Sequence, residues 1–183
     1  MIVFVRHAPT LYTFENKIQT YYDELDAHVT IQEYHEFIKL LRLTKIVRPI
    51  IMSSPMRRVQ STIKQLDLEP GIIDPRLEEV MPCKHDGMHK DEFIDRIIPM
   101  IDKSFSAKSV YEEIESFLND IDWDQDYLVF THGLRIKYFI NYIFGKHMSF
   151  SQLFNNIIIK PLSLTVLQKH NHDAISLKGI YNL

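Results

Sequence analysis

Three short apolar runs, each ending abruptly in polar residues, punctuate the chain. Ile2-Val3-Phe4-Val5 runs into Arg6-His7, Ile50-Ile51-Met52 into Ser53-Ser54-Pro55, and Tyr127-Leu128-Val129-Phe130 into Thr131-His132-Gly133. Unbroken runs of this length, rich in β-branched and aromatic residues, predict strands buried on both faces of a sheet. Between them the period becomes helical. Thr30 and Glu33 have capping-box spacing, and Ile31, Tyr34, Phe37, Ile38 and Leu41 then predict a helix to about Leu43. Met56, Val59, Ile63 and Leu66 predict a second, with Ser54 and Pro55 as cap and first position and Arg58 in its first turn. A helix over 91–103 interrupted at Pro99, a capping box at Ser109 and Glu112 opening another, and an apolar helix from Ile136 to Phe144 closed by Gly145 follow. Ile157-Ile158-Ile159, Leu164 to Leu167 and Ala174 to Ile180 read as further strands, with a hairpin turn at His170-Asn171-His172-Asp173. Residues 11–29 and 70–90 show no clear period and are expected as loops.

Strands alternating with helices predict an α/β fold, a three-layer α/β/α arrangement around a mostly parallel central sheet. At 183 residues and 45% hydrophobic content, one domain over 1–183 is expected, with a short insertion around 82–106. The net charge of -3 gives no general attraction to nucleic acid or an anionic membrane, so an anion site must be built locally. A single cysteine, Cys83, excludes an intrachain disulfide framework, and no Cys/His cluster has zinc-site spacing. No stretch approaches the roughly 18 apolar residues of a membrane span, and no basic-then-apolar leader opens the sequence. A soluble cytoplasmic protein is expected, either monomer or homodimer, without nucleic-acid or membrane partner.

A parallel sheet with right-handed crossovers gathers its strand ends at one edge, where ligands of open α/β sheets bind. Arg6-His7, Ser54 with Arg58, and His132 would then surround one spot. Two guanidinium groups suit a dianionic phosphoryl group rather than a metal. A neutral imidazole can serve as nucleophile, and a second histidine can steady charge on the equatorial oxygens. The leaving oxygen needs a carboxylic acid, for which Glu79 and its neighbour Glu78 are the candidates. Lys84, His85 and Lys90, in the irregular stretch, are candidate substrate contacts. Tyr21 and Tyr22 could flank a ligand, while His28, His35, His147, His170 and His172 belong to no motif.

These residues resemble the histidine phosphatase superfamily, also called phosphoglycerate-mutase-like. Arg6-His7-Ala8-Pro9-Thr10 is similar to its Arg-His-Gly-x-Thr signature, with alanine for glycine. Ser53-Ser54-Pro55-Met56-Arg57-Arg58-Val59-Gln60-Ser61-Thr62 resembles Ser-Ser-x-Leu-x-Arg-Ala-x-Gln-Thr, Arg76-Leu77-Glu78-Glu79 resembles Arg-Leu-x-Glu, and Phe130-Thr131-His132-Gly133 resembles Val-Thr-His-Gly. The resemblance covers residues 2 to about 145. It implies that His7 is phosphorylated during turnover, that Glu79 donates the proton, that Arg6, Arg58, His132 and Thr10 bind phosphate, and that no metal or cofactor is needed. The implied activity is a phosphatase acting on a phosphorylated small molecule or phosphoprotein. The alternatives are a pocket that binds without turnover, suggested by Ala8 and by Thr13 where many members have asparagine, and a mutase, for which the chain lacks the additional closing segment.

Overall fold

The computed structural model describes residues 1–19, 25–80, 87–170 and 174–183. In chain order these form β1 (Ile2–Arg6), α1 (Leu11–Phe14), α2 (Ile31–Thr44), β2 (Ile50–Ser53), α3 (Arg57–Gln65) and β3 (Ile72–Ile73). A 3-10 turn, Pro75–Leu77, leads to α4 (Lys90–Glu92), a π-helical stretch (Phe93–Ile97) and α5 (Ile98–Ser104). Then come α6 (Lys108–Asn119), β4 (Tyr127–Thr131), α7 (Gly133–Ile143), α8 (Phe150–Asn156), β5 (Leu164–Lys169) and β6 (Ile175–Tyr181).

The sheet order is β3-β2-β4-β1-β5-β6, parallel from β3 through β1, with β5 antiparallel to both of its neighbours. This is the mostly parallel α/β sheet that the apolar runs predict. Each run alternates between two cores. Ile2, Phe4, Tyr127 and Val129 face one side, where α5 to α8 contribute Ile101, Phe117, Phe139 and Leu153. Val3, Val5, Leu128 and Phe130 face the other, against Phe37 of α2 and Val59 and Ile63 of α3. Phe4 is fully buried with its ring 4.5 Å from that of Phe139, a packing worth about 3–5 kcal/mol against truncation to alanine.

Several element boundaries differ from the sequence reading. The cap of α3 is Met56, because Ser54 Oγ accepts from Met56 N and forms a turn ahead of the helix rather than its cap. Ser109 is no cap either: α6 begins at Lys108, and Glu112 pairs with Lys108 across one turn. Pro99 does not break its helix. A proline there has no N–H for the Asp95 carbonyl and its ring crowds it, and the wider π turns over Phe93–Ile97 absorb both effects. Ile157-Ile158-Ile159 is not a strand, because a Ser149–Gln152 capping box starts α8 and the isoleucines leave it as irregular chain, Ile159 buried and Ile158 exposed. The expected turn at 171–173 lies outside the described residues. Gly145 follows the end of α7 with φ +88°, the left-handed conformation that a closing glycine supplies.

Candidate active site

β4 inserts between β1 and β2, and the registers Arg6↔Thr131 and Ser53↔Phe130 bring all three strand ends level. His7, His132 and Ser54 therefore emerge side by side. The backbone closes the row, with His7 N donating to Thr131 O at 2.9 Å and Ser54 N to Phe130 O at 3.0 Å. The imidazole rings of His7 and His132 meet edge to face with centroids 5.3 Å apart.

His7 is buried, and its Nδ1 donates to the carbonyl of Ala8 at 2.7 Å. That bond places the hydrogen on Nδ1 and leaves the lone pair on Nε2. Ala8 N in turn donates to Thr62 Oγ1 at 3.0 Å, and the Ala8 side chain packs in the core of α2 and α3. Burial, then the cations of Arg58 and Arg6, hold the His7 pKa well below the ordinary histidine value. His132 is depressed in the same way, by burial first and then by Arg58. Its Nδ1 accepts from Arg58 Nε at 3.2 Å, so its Nε2 carries the hydrogen and donates to Ser54 Oγ at 3.0 Å. Both imidazoles are neutral at pH 7.

A cavity of about 270 Å³ opens over this row, with Arg6, His7 and Glu79 in its wall. Arg6 Nη1 donates to Ile159 O at 2.6 Å, while its buried Nε has no partner among the described residues. The guanidinium lies against Gly133, where a Cβ would come within 3.2 Å of Nε, so the glycine of the His-Gly pair is what lets Arg6 through. Arg58 and His132 lie behind His7, 1% and 0% exposed, and do not themselves form the cavity wall.

Glu79 sits at the amino end of α7. Its Oε1 accepts from Arg135 N and Val80 N, both at 3.0 Å, and its Oε2 from Leu134 N at 3.5 Å. Helix N-termini favour such an anion. The segment that carries it is pinned from three sides: Thr131 Oγ1 donates to Leu77 O at 2.6 Å, Arg135 Nε to Glu78 O at 2.7 Å, and Arg76 bridges Asp74 and Asp120. Arg76 is raised further by its bond to Asp74. Glu78 does not reach the cavity wall, so of the two candidate carboxylates the geometry presents Glu79.

The other expected residues divide. Thr10 is fully buried and gives its hydroxyl to Gln19 Oε1 at 2.7 Å, so it supports the loop, and Thr13 and Gln19 line the cavity instead. Thr13 also accepts from Thr10 N at 3.1 Å. Lys90 is in the wall. Lys84, His85, Tyr21 and Tyr22 lie outside the described residues. The sequence reading passed over Lys137, Arg135, Asn16 and Gln19, whose roles depend on which way a polar side chain points. Among the described residues no group of three or more His, Cys, Asp or Glu side chains is arranged to hold a metal ion, and no helix is long and apolar enough to cross a membrane.

Comparison with known proteins bears on this arrangement. The family model described as histidine phosphatase superfamily (branch 1) matches residues 2–182. A histidine-to-alanine mutant of phosphoserine phosphatase from Entamoeba histolytica, solved with phosphoserine, is similar at a TM-score of 0.78 and 18% identity, covering 99% of this chain and 96% of that one. The same enzyme with 3-phosphoglyceric acid gives 0.76 and 18% identity over 100% and 96%. Alpha-ribazole phosphatase from Shigella flexneri gives 0.69 and 14% over 99% and 96%. A search of curated proteins finds no match. At these identities the solved structures share the fold, while the family model spans nearly the whole sequence, including every strand end described above. The chain belongs to the histidine phosphatase superfamily, branch 1.

Proposed function

We propose that the protein is a metal-independent phosphatase that hydrolyses a small phosphomonoester through a phosphohistidine on His7. The observation that carries this reading is the imidazole of His7, neutral, fixed through Nδ1 by the Ala8 carbonyl, with Nε2 free in a cavity walled by Arg6. Nε2 attacks phosphorus and the P–O ester bond breaks, while the departing oxygen takes, through Glu79, the proton that the phosphomonoester monoanion brings into the site. Water then attacks the phosphoryl group, Glu79 takes back a proton, and the P–N bond breaks to release phosphate. Arg6, in the wall, offsets the negative charge of the phosphoryl oxygens directly, while Arg58, held by His132 through Nε behind His7, adds its positive charge from beneath.

The solved relatives include enzymes named for phosphoserine and alpha-ribazole phosphate chemistry, which supports phosphatase over mutase. The cavity lies just under the roughly 300 Å³ at which small-molecule sites begin, which favours a small ester over a phosphoprotein. Ala8 buries its side chain in the core and lines no part of the cavity, which supports turnover over a pocket that only binds.

The test is hydrolysis of nitrophenyl phosphate in the presence of a chelator, together with an acid-labile phosphoryl label. Hydrolysis is expected to persist in chelator, and the label to be absent from His7→Ala. No hydrolysis, or equal labelling of the variant, overturns the reading.

A further inference from the structure

The cavity holds more positive charge than one phosphoryl group needs. Among the described residues, Arg6, Lys17, Lys90 and Lys137 line it against the single carboxylate of Glu79, in a chain whose net charge is negative. Lys17 is matched by Glu15 at 2.6 Å. Lys137 is not matched. It forms no ion pair among the described residues, and its Nζ gives one hydrogen to the carbonyl of Phe154 at 2.8 Å while lying 5.2 Å from the centre of that ring. Phe154 in turn packs against Phe93 and Phe150, which share the cavity wall. A cation held against aromatic rings with no carboxylate paired to it, and only the more distant charge of Glu79 to favour it, carries a desolvation cost that an anionic ligand group can offset.

Lys137 occupies the cavity-facing stripe of α7 with Gly133 and Leu134, one turn beyond the residues that hold Glu79. Its position is thus rigid relative to the phosphoryl end. Burial, and then the charge of Arg6, push its pKa down to about 8, so it is largely protonated at neutral pH and becomes more firmly so beside an anion.

We propose that Lys137 is a specificity residue that binds a carboxylate on the substrate, so that the physiological ligand is a small phosphomonoester bearing a carboxylate at the end away from the phosphoryl group. A single carboxylate matches one ammonium with two N–H groups left to donate, whereas a second phosphate would bring more oxygens than that. The proposal rests on the phosphoryl group occupying the Arg6–His7 side of the cavity.

Titration calorimetry with unreactive phosphonates tests it without relying on turnover. Carboxyethylphosphonate, which carries the carboxylate, and propylphosphonate, which lacks it, are compared on the wild type, Lys137→Met and Lys137→Gln. The wild type is expected to prefer carboxyethylphosphonate by about tenfold or more, and both variants to bring the ratio of the two affinities close to one. A wild-type ratio near one, a ratio unchanged in both variants, or no binding of either phosphonate overturns the proposal. Failure of the phosphatase reading is seen separately, as absence of nitrophenyl phosphate hydrolysis by a wild type that still binds phosphonate.

Discussion

His7 Nδ1 and the carbonyl oxygen of the next residue, Ala8, are 2.7 Å apart, so the backbone of the residue that departs from the family signature is what orients the proposed nucleophile. A glycine offers the same carbonyl. What alanine adds is a methyl group in the core of α2 and α3. Ala8→Gly is therefore expected to leave kcat/KM for nitrophenyl phosphate within about threefold. Losing the buried methyl and stiffening the unfolded chain less should cost about 1–2 kcal/mol, read from urea unfolding.

The two buried histidines make stability depend on pH. Burial and the Arg58 cation lower both pKa values in the folded state, while in the unfolded chain each titrates near the ordinary value of about 6.5. Below that pH the unfolded state takes up protons that the folded state refuses. The stability they allow is thus full above about pH 6.5 and is lost as pH falls, at up to about 1.4 kcal/mol per pH unit for each histidine. Unfolding free energies between pH 7.5 and 5.5 should show this slope, and His7→Gln should remove about half of the histidine contribution.

Glu79, held by the N–H groups of Val80 and of Leu134 and Arg135 at the start of α7, is the proposed route of the proton to the leaving group. Glu79→Gln should lower kcat for an alkyl phosphate by about a hundredfold or more, because an alkoxide leaves poorly without a proton. For nitrophenyl phosphate, whose leaving group needs little help, the loss should be less than about tenfold. Equal losses on the two substrates would remove Glu79 from this role.

Arg135 is expected to act through Glu79 as a positioning residue. Its side chain is 4% exposed, holding the Glu78 carbonyl through Nε and Glu113 at 2.9 Å through Nη1. Arg135→Lys keeps the charge and loses the fork. The variant should reproduce the leaving-group dependence of Glu79→Gln in weaker form, with about a tenfold fall in kcat for the alkyl phosphate and little change in KM. A uniform fall on both substrates would mark the residue as merely structural.

Much of this architecture was legible because burial leaves a periodic trace. Met56, Val59, Ile63 and Leu66 are all buried, as their spacing predicts, and the three strand ends converge as a parallel sheet requires. Element ends were less legible, since Ser54 can cap a helix or make a turn and only its bond from Met56 N decides. The place of Thr10 was not legible either, since its hydroxyl bonds Gln19, a contact that motif order does not encode. Lys137 and Arg135 sat unnoticed on an apolar helix, where a 3.6-residue period marks the buried face without saying which polar side chain meets a cavity.

The insertion of β4 between β1 and β2 also governs when the site can exist during synthesis and folding. β1 and β2 emerge first but leave a gap between them that only residues 127–131 fill, and Arg58 reaches across 74 positions of sequence to His132. Closing such long loops slows folding. A nascent chain that has not yet delivered β4 has neither a finished sheet nor a second imidazole, so the row of strand ends exists only once the fold is complete.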